Sequence, residues 1–159
     1  MQPSRILQLL RRTRRRFARH SAGNAAIEMA LAAPVLATLM VGTVDFGMAV
    51  YRKMQVQHAA QSGAEYAMVH GFSATAITSA VTGATAFTGI SATPAPAQSC
   101  GCPSGTTITA ATCGTNCASG LAAGIYVTVS TQGSYATILP YPGISNSFAF
   151  TAASVVRIQ

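Results

Sequence analysis

The stretch Met29–Val44, MALAAPVLATLMVGTV, contains no charged residue, and with Asp45 as the one interruption the apolar run continues through Phe46–Tyr51. That is close to the ~20 residues a helix needs to cross a hydrocarbon core. A buried helix of a soluble protein is the bland alternative, and the flanking charge argues against it. Arg5, Arg11, Arg12, Arg14, Arg15, Arg16 and Arg19 all precede the run, whereas Arg52 and Lys53 follow it. Such an excess of arginine holds the basic flank on the cytoplasmic side and sends the rest of the chain across. A cleaved signal peptide would have a shorter apolar core, about 7–15 residues, ending in a small-x-small site. Here Ala30, Ala32 and Ala33 come before the apolar centre, and the segment past Val44 offers no convincing site, so conventional cleavage is disfavoured.

The formal net charge of +7 belongs almost wholly to that flank. Beyond His20 only Arg52, Lys53 and Arg157 remain, facing Glu28, Asp45 and Glu65. The basic balance therefore describes an N-terminal tag, not a nucleic-acid-binding surface.

Glu28 opens the apolar run. A carboxylate in a membrane helix costs on the order of 2.5–3.5 kcal/mol at the centre and less near the interface. On the bland reading Glu28 snorkels to the headgroups and stabilises the positive end of the helix dipole. The functional reading rests on its distance from Gly23: in NAAIE, Asn24 is the first residue and Glu28 the fifth. A cut after Gly23 would place the new α-amino group of Asn24 and the Glu28 carboxylate on one helix face. The amine of a neighbouring subunit, offset along the axis, would then neutralise the carboxylate in lipid. Asp45, the second acid of the run, has two readings of equal standing: a snorkelling residue near the outer interface, or a partner for a cation on another subunit. Pro34 removes one backbone hydrogen bond and is expected to kink the helix, which membrane helices tolerate.

The segment RRFARHSAGNAAIEMALAAPVLATLMVGTVDFGMAVYRKMQVQHAAQSGAEYA resembles the N-terminal module of TadE-like proteins, minor pilin-like components of tight-adherence (Tad) pilus systems. The resemblance covers about residues 14–70 and rests on four features: Gly23 with Glu28 at position five, the apolar helix containing Pro34, Asp45-Phe46-Gly47, and the AAQSGAEYA run. It implies removal of the leader after Gly23 by a prepilin peptidase and an assembly role for Glu28. It also implies a bacterial inner-membrane location with the C-terminal part periplasmic, and as partners other pilins and the pilus assembly machinery.

Outside the membrane the helix is expected to run on to His70, with Gly71 as its stop. A helix from Ala25 to His70 would be ~68 Å long at ~1.5 Å per residue. Met54, Ala60, Ala64, Ala67 and Met68 would line its modestly apolar face. SATAITSAVTGATAF reads as a weak second helix and TPAPAQS (93–99) as a linker. Cys100, Cys102, Cys113 and Cys117 then admit two readings. A four-thiolate zinc site has no familiar spacing here and no His or acid nearby, so outside the cytoplasm two disulfides are favoured. Pairing Cys100 with Cys102 would strain the loop, which leaves cross-links between the CGC pair and the Cys113/Cys117 pair. IYVTVST (125–131), Tyr135–Leu139 and Ser147–Ile158 read as strands, with Pro140, Pro142 and Gly143 marking a turn.

The expected fold is therefore α+β: a long N-terminal transmembrane and stalk helix, then a small disulfide-stapled domain with an antiparallel sheet. The divisions are a basic leader (1–23), the helix (24–71), a weak helix and linker (72–99), and a β-rich outer domain (100–159). After Gly71 there is no Asp, Glu, His or Lys, so general acid–base chemistry has no group to use there. Neither an enzyme activity nor a metal, cofactor, small-molecule substrate or nucleic acid is expected. The expected function is that of a processed minor pilin, and its alternative is an unprocessed, membrane-anchored binding module.

Overall fold

The computed structural model describes residues 22–158. The arginine-rich leader, with Arg5, Arg11, Arg12, Arg14, Arg15, Arg16 and Arg19, lies outside the described residues. Among the described residues the elements run α1 (Ala22–His70), α2 (Ala74–Gly83), β1 (Ala97–Ser104), β2 (Thr107–Ala110), β3 (Gly124–Ala136) and β4 (Ser147–Arg157). The chain divides into two compact units, Met1–Val44 and Asp45–Gln159.

In the first unit, α1 begins at Ala22 and continues helically through Pro34. Every residue from Gly23 to Met40 is exposed. The hydroxyls of Thr38 and Thr43 donate to the carbonyls of Val35 and Leu39, one turn back. Back-bonding of this kind satisfies a hydroxyl within its own helix and needs no outside partner.

The second unit is a two-layer α/β arrangement. Its sheet is antiparallel throughout, in the order β2-β1-β3-β4. The core lies between one face of this sheet and the two helices: Val56, Ala59, Ala64 and Ala67 from α1, Ile77 and Val81 from α2, then Ile90, Val127 and Val129. The α1 stripe is made of small residues, which lets the helix backbone come close to its neighbours. Gly63 marks the closest approach, because a Cβ there would stand 2.6 Å from a Val81 methyl and 2.9 Å from one of Val129. Helix α1 ends where Gly71 takes a left-handed φ of 79° and its N–H bonds to Ala67 O at 2.9 Å, the usual glycine C-cap geometry.

The α+β class with a long helix and a sheet-bearing domain is as expected; several details differ. Of the face expected on α1, Ala60, Ala64 and Ala67 are buried and are joined by Val56, Ala59 and Gly63, whereas Met54 and Met68 are exposed. The smaller residues win the interface because a close helix–sheet approach leaves no room for methionine. The predicted strands 125–131 and 135–139 are one strand, β3, which ends at Ala136. From Val127 on, the alternate positions Val127, Val129, Thr131, Gly133 and Tyr135 are buried, so the period of two runs through both predicted strands. Cys100 and Cys102 lie in β1, which already starts at Ala97 inside the predicted linker.

Candidate assembly segment and the buried Asp45

Gly23 and Asn24 occupy the first turn of α1, and Glu28 follows one turn later on the same face as Asn24. Glu28 is exposed, and a Cβ at Gly23 would meet nothing within 4 Å. Around them Ile27, Met29, Leu31, Val35, Leu36, Leu39 and Met40 are all exposed. Helix α1 is long and apolar enough to cross a membrane.

Asp45 is placed differently. Only 4% of it is exposed. The Tyr135 hydroxyl donates to Oδ1, and the Ile138 N–H lies 3.1 Å from both carboxylate oxygens. Sequence reasoning offered this acid a headgroup or a foreign cation; the structure surrounds it with a tyrosine and a backbone amide of its own chain. Donation to Asp45, then burial, raises the Tyr135 pKa above the ordinary tyrosine value. Tyr141, whose buried hydroxyl has no hydrogen-bond partner, is raised by burial first and by nearby Asp45 second.

Two turns along α1, Arg52 lays its guanidinium over the Phe87 ring. Its Nε and Nη1 are buried without hydrogen bonds, so the aromatic face takes the place of a polar partner. From sequence Arg52 counted only as flanking charge. The seven-residue spacing from Asp45 puts both on one helix face and was the available signal. No comparable signal marked Tyr135, because its partner is 90 residues away.

The cysteines form Cys100–Cys113 and Cys102–Cys117, with Cα separations of 5.2 and 5.6 Å. The CGC spacing explains why both bridges reach the same segment. In a strand, residues i and i+2 share a face, so both thiols point one way and Gly101 the other. A Cβ at Gly101 would stand 2.4 Å from an Ile108 methyl of β2, so this position has room for hydrogen only. The segment 111–123 has no buried side chain; besides the bridges it is held by backbone bonds such as Cys117 N–H to Leu121 O, 2.7 Å, and Ala123 N–H to Thr115 O, 2.8 Å. Among the described residues no cluster of His, Cys, Asp or Glu could hold a metal ion.

Comparisons with curated proteins and with solved structures gave no match. The family comparison did: residues 23–65 match the family model described as TadE-like protein. The matched stretch begins at Gly23, includes Glu28 and Asp45, and stops within α1 before the sheet, so the similarity is confined to the helix.

Proposed function

We propose that this chain is a minor pilin-like structural and assembly component of a Tad-type pilus. A prepilin peptidase removes the basic leader after Gly23, and the chain enters the inner membrane, and then the pilus, through α1. Its outer domain faces the periplasm, and its partners are other pilins and the assembly machinery.

The observation that carries this reading is the state of residues 23–40. They form an exposed apolar helix with a single carboxylate, Glu28, in a segment that matches the TadE-like family. Among the described residues up to Val44 there is no basic side chain to neutralise it, and the freed α-amino group of an adjacent subunit would supply the counter-charge. Removing the leader takes away seven arginines and leaves three basic against three acidic side chains. The N-terminal end of the helix is then free to leave the cytoplasmic surface.

The test is the intact mass of the membrane-extracted protein. The mature chain should begin at Asn24, and Gly23→Ala should accumulate the full-length form. Glu28→Ala should insert normally but be lost from sheared pili. A mature chain that retains its arginines would replace this reading with that of an unprocessed, membrane-anchored binding module.

A further inference from the structure

The loop between β3 and β4 carries a feature that pilus assembly through α1 does not use. Residues 137–146 read TILPYPGISN, and no charged residue occurs anywhere from Gly124 to Val156. Ile138, Leu139 and Ile144 are 58%, 40% and 55% exposed, although aliphatic side chains of this size are ordinarily covered. The loop is well defined. Thr137 N–H bonds to Asn146 O at 3.0 Å and closes its base. Tyr141-Pro142-Gly143-Ile144 form a turn closed by Ile144 N–H to Tyr141 O at 3.2 Å. Gly143, at φ 80°, supplies the left-handed third residue that a type II turn requires, after a proline at its second position.

Its position follows from the register of β3 on α1. Val129 lies against Gly63, Thr131 bonds to Val56, Gly133 faces Val56, and Tyr135 reaches Asp45. Going up the strand, contacts go down the helix, so the β3–β4 hairpin tip sits at the Asp45 end of the second unit. Ile138 N–H is itself bonded to the Asp45 carboxylate. One peptide bond joins Asp45 to Val44, the last residue of the uncharged run. Phe46, beside Asp45, is 73% exposed and adds an aromatic side chain near the same level.

We infer that the β3–β4 loop is a bilayer-facing loop that seats Ile138, Leu139 and Ile144 in the headgroup–acyl boundary of the membrane that α1 enters. This rests on the reading of α1 as a membrane span. Lipid suits the patch better than a second protein. Three aliphatic side chains fall far short of the ~800 Å² per partner of a stable protein interface, whereas shallow insertion of a few apolar groups is how interfacial segments bind a membrane. The chemistry agrees, because the exposed side is uncharged and the Tyr141 hydroxyl turns inward to a buried position. The loop would thus steady the outer domain against the membrane until the subunit is drawn out.

The chain contains no tryptophan, so single substitutions give unique reporters. Full-length Ile144→Trp, Leu139→Trp, Leu36→Trp and Leu121→Trp are each reconstituted in phosphatidylethanolamine–phosphatidylglycerol vesicles containing brominated lipids. Leu121 is 68% exposed, in the disulfide-stapled segment. Both loop tryptophans should be quenched by lipids brominated near the headgroup, at least about twofold more strongly than Leu121→Trp, and Leu36→Trp by lipids brominated deep in the chain. Either loop reporter suffices if the other variant fails to fold. Loop quenching equal to that of Leu121→Trp, with Leu36→Trp quenched, would overturn the loop and keep the span. An unquenched Leu36→Trp would overturn both. Loop tryptophans shielded from bromolipid, and exposed when the protein is diluted into excess lipid, would assign the patch to a second copy and overturn the inference.

Discussion

Within the one helix α1, residues 23–44 and residues 45–70 are built for different neighbours. The first stretch is the more apolar, yet it is the one its own chain leaves uncovered, with Leu31, Val35, Leu36, Leu39 and Met40 all exposed. The second is less apolar but buries a stripe of Ala and Gly with Val56 against the sheet. Hydrophobicity and burial therefore run in opposite directions along one helix. Apolar surface left in water is unfavourable by about 25 cal/mol per Å², so the composition of 23–44 only makes sense with a partner outside the chain. The two acids repeat the contrast. Glu28 is exposed, whereas Asp45 is enclosed by Tyr135 and Ile138.

The largest expected effect separates the two regions outright. Replacing Cys102 and Cys117 with Ser opens a bridge spanning 15 residues, and the loop-entropy cost of a bridge of this length is about 3 kcal/mol. Segment 111–123 has no core to fall back on. The unfolding free energy of the detergent-extracted protein in chemical denaturation should fall by about that amount, and proteolysis should open sites after Gly71. Residues 23–44, whose exposed apolar side chains the detergent covers, should remain protected. Loss of protection in both regions together would mean that the whole of α1 depends on the sheet.

A second pair applies one substitution to two glycines of the same helix. Gly63→Ala brings a methyl group to within 3 Å of Val81 and Val129, and overpacking of this kind costs about 1–3 kcal/mol. Gly47→Ala meets nothing within 4 Å, so it should add about 0.5–1 kcal/mol of helix stability. Opposite signs in chemical denaturation would show that α1 is ruled by packing at Gly63 and by backbone entropy at Gly47. Equal signs would mean that the sheet does not bear on the helix as closely as the structure has it.

How much of this was legible beforehand follows the range of the interactions. The apolar run, the arginine bias, the Gly71 stop and the strand alternation of IYVTVST are local patterns, and each names an element from a dozen residues or fewer. The cross-pairing of the cysteines followed from the strain of joining neighbours in CGC. What could not be read were contacts between distant residues: Asp45 with Tyr135, Gly63 with Val129, the methionines losing their place to alanine. A buried aspartate in an apolar run reads as a membrane charge when the hairpin that covers it lies 90 residues on. The stretch matched by the TadE-like family ends at residue 65, so the sheet that explains Asp45 lies beyond the resemblance as well.

Asp45→Asn tests that pairing with a smaller effect. Asparagine keeps an acceptor for Ile138 but removes the charge that holds the Tyr135 proton. In the wild type the folded chain binds that proton more tightly than the unfolded chain does. The stability from this term is present below the ordinary tyrosine pKa and is lost as pH rises through the raised value. Tyrosinate absorbance should show Tyr135 titrating late in the wild type and closer to normal in Asp45→Asn. Glu28→Gln should leave the same curve unchanged. A shift with Glu28→Gln would erase the distinction between the two acids.

The smallest effect concerns how the strand is held to the helix. Thr131 is fully buried, and its hydroxyl donates to Val56 O at 2.9 Å. Thr131→Val has nearly the same shape and removes only that donor. The Val56 carbonyl sits within α1, where it can keep its helical hydrogen bond, so no buried acceptor is stranded. The expected loss is therefore that of a single hydrogen bond, about 0.5–1.5 kcal/mol, with no change in the dependence on denaturant. A loss of that size means the polar contact fixes the register of β3 on α1, and with it the position of Tyr135 beside Asp45. A neutral or stabilising result would mean that Val56, Gly63 and Val129 set the register by packing alone. The hairpin would then reach Asp45 because shape leaves it nowhere else to go.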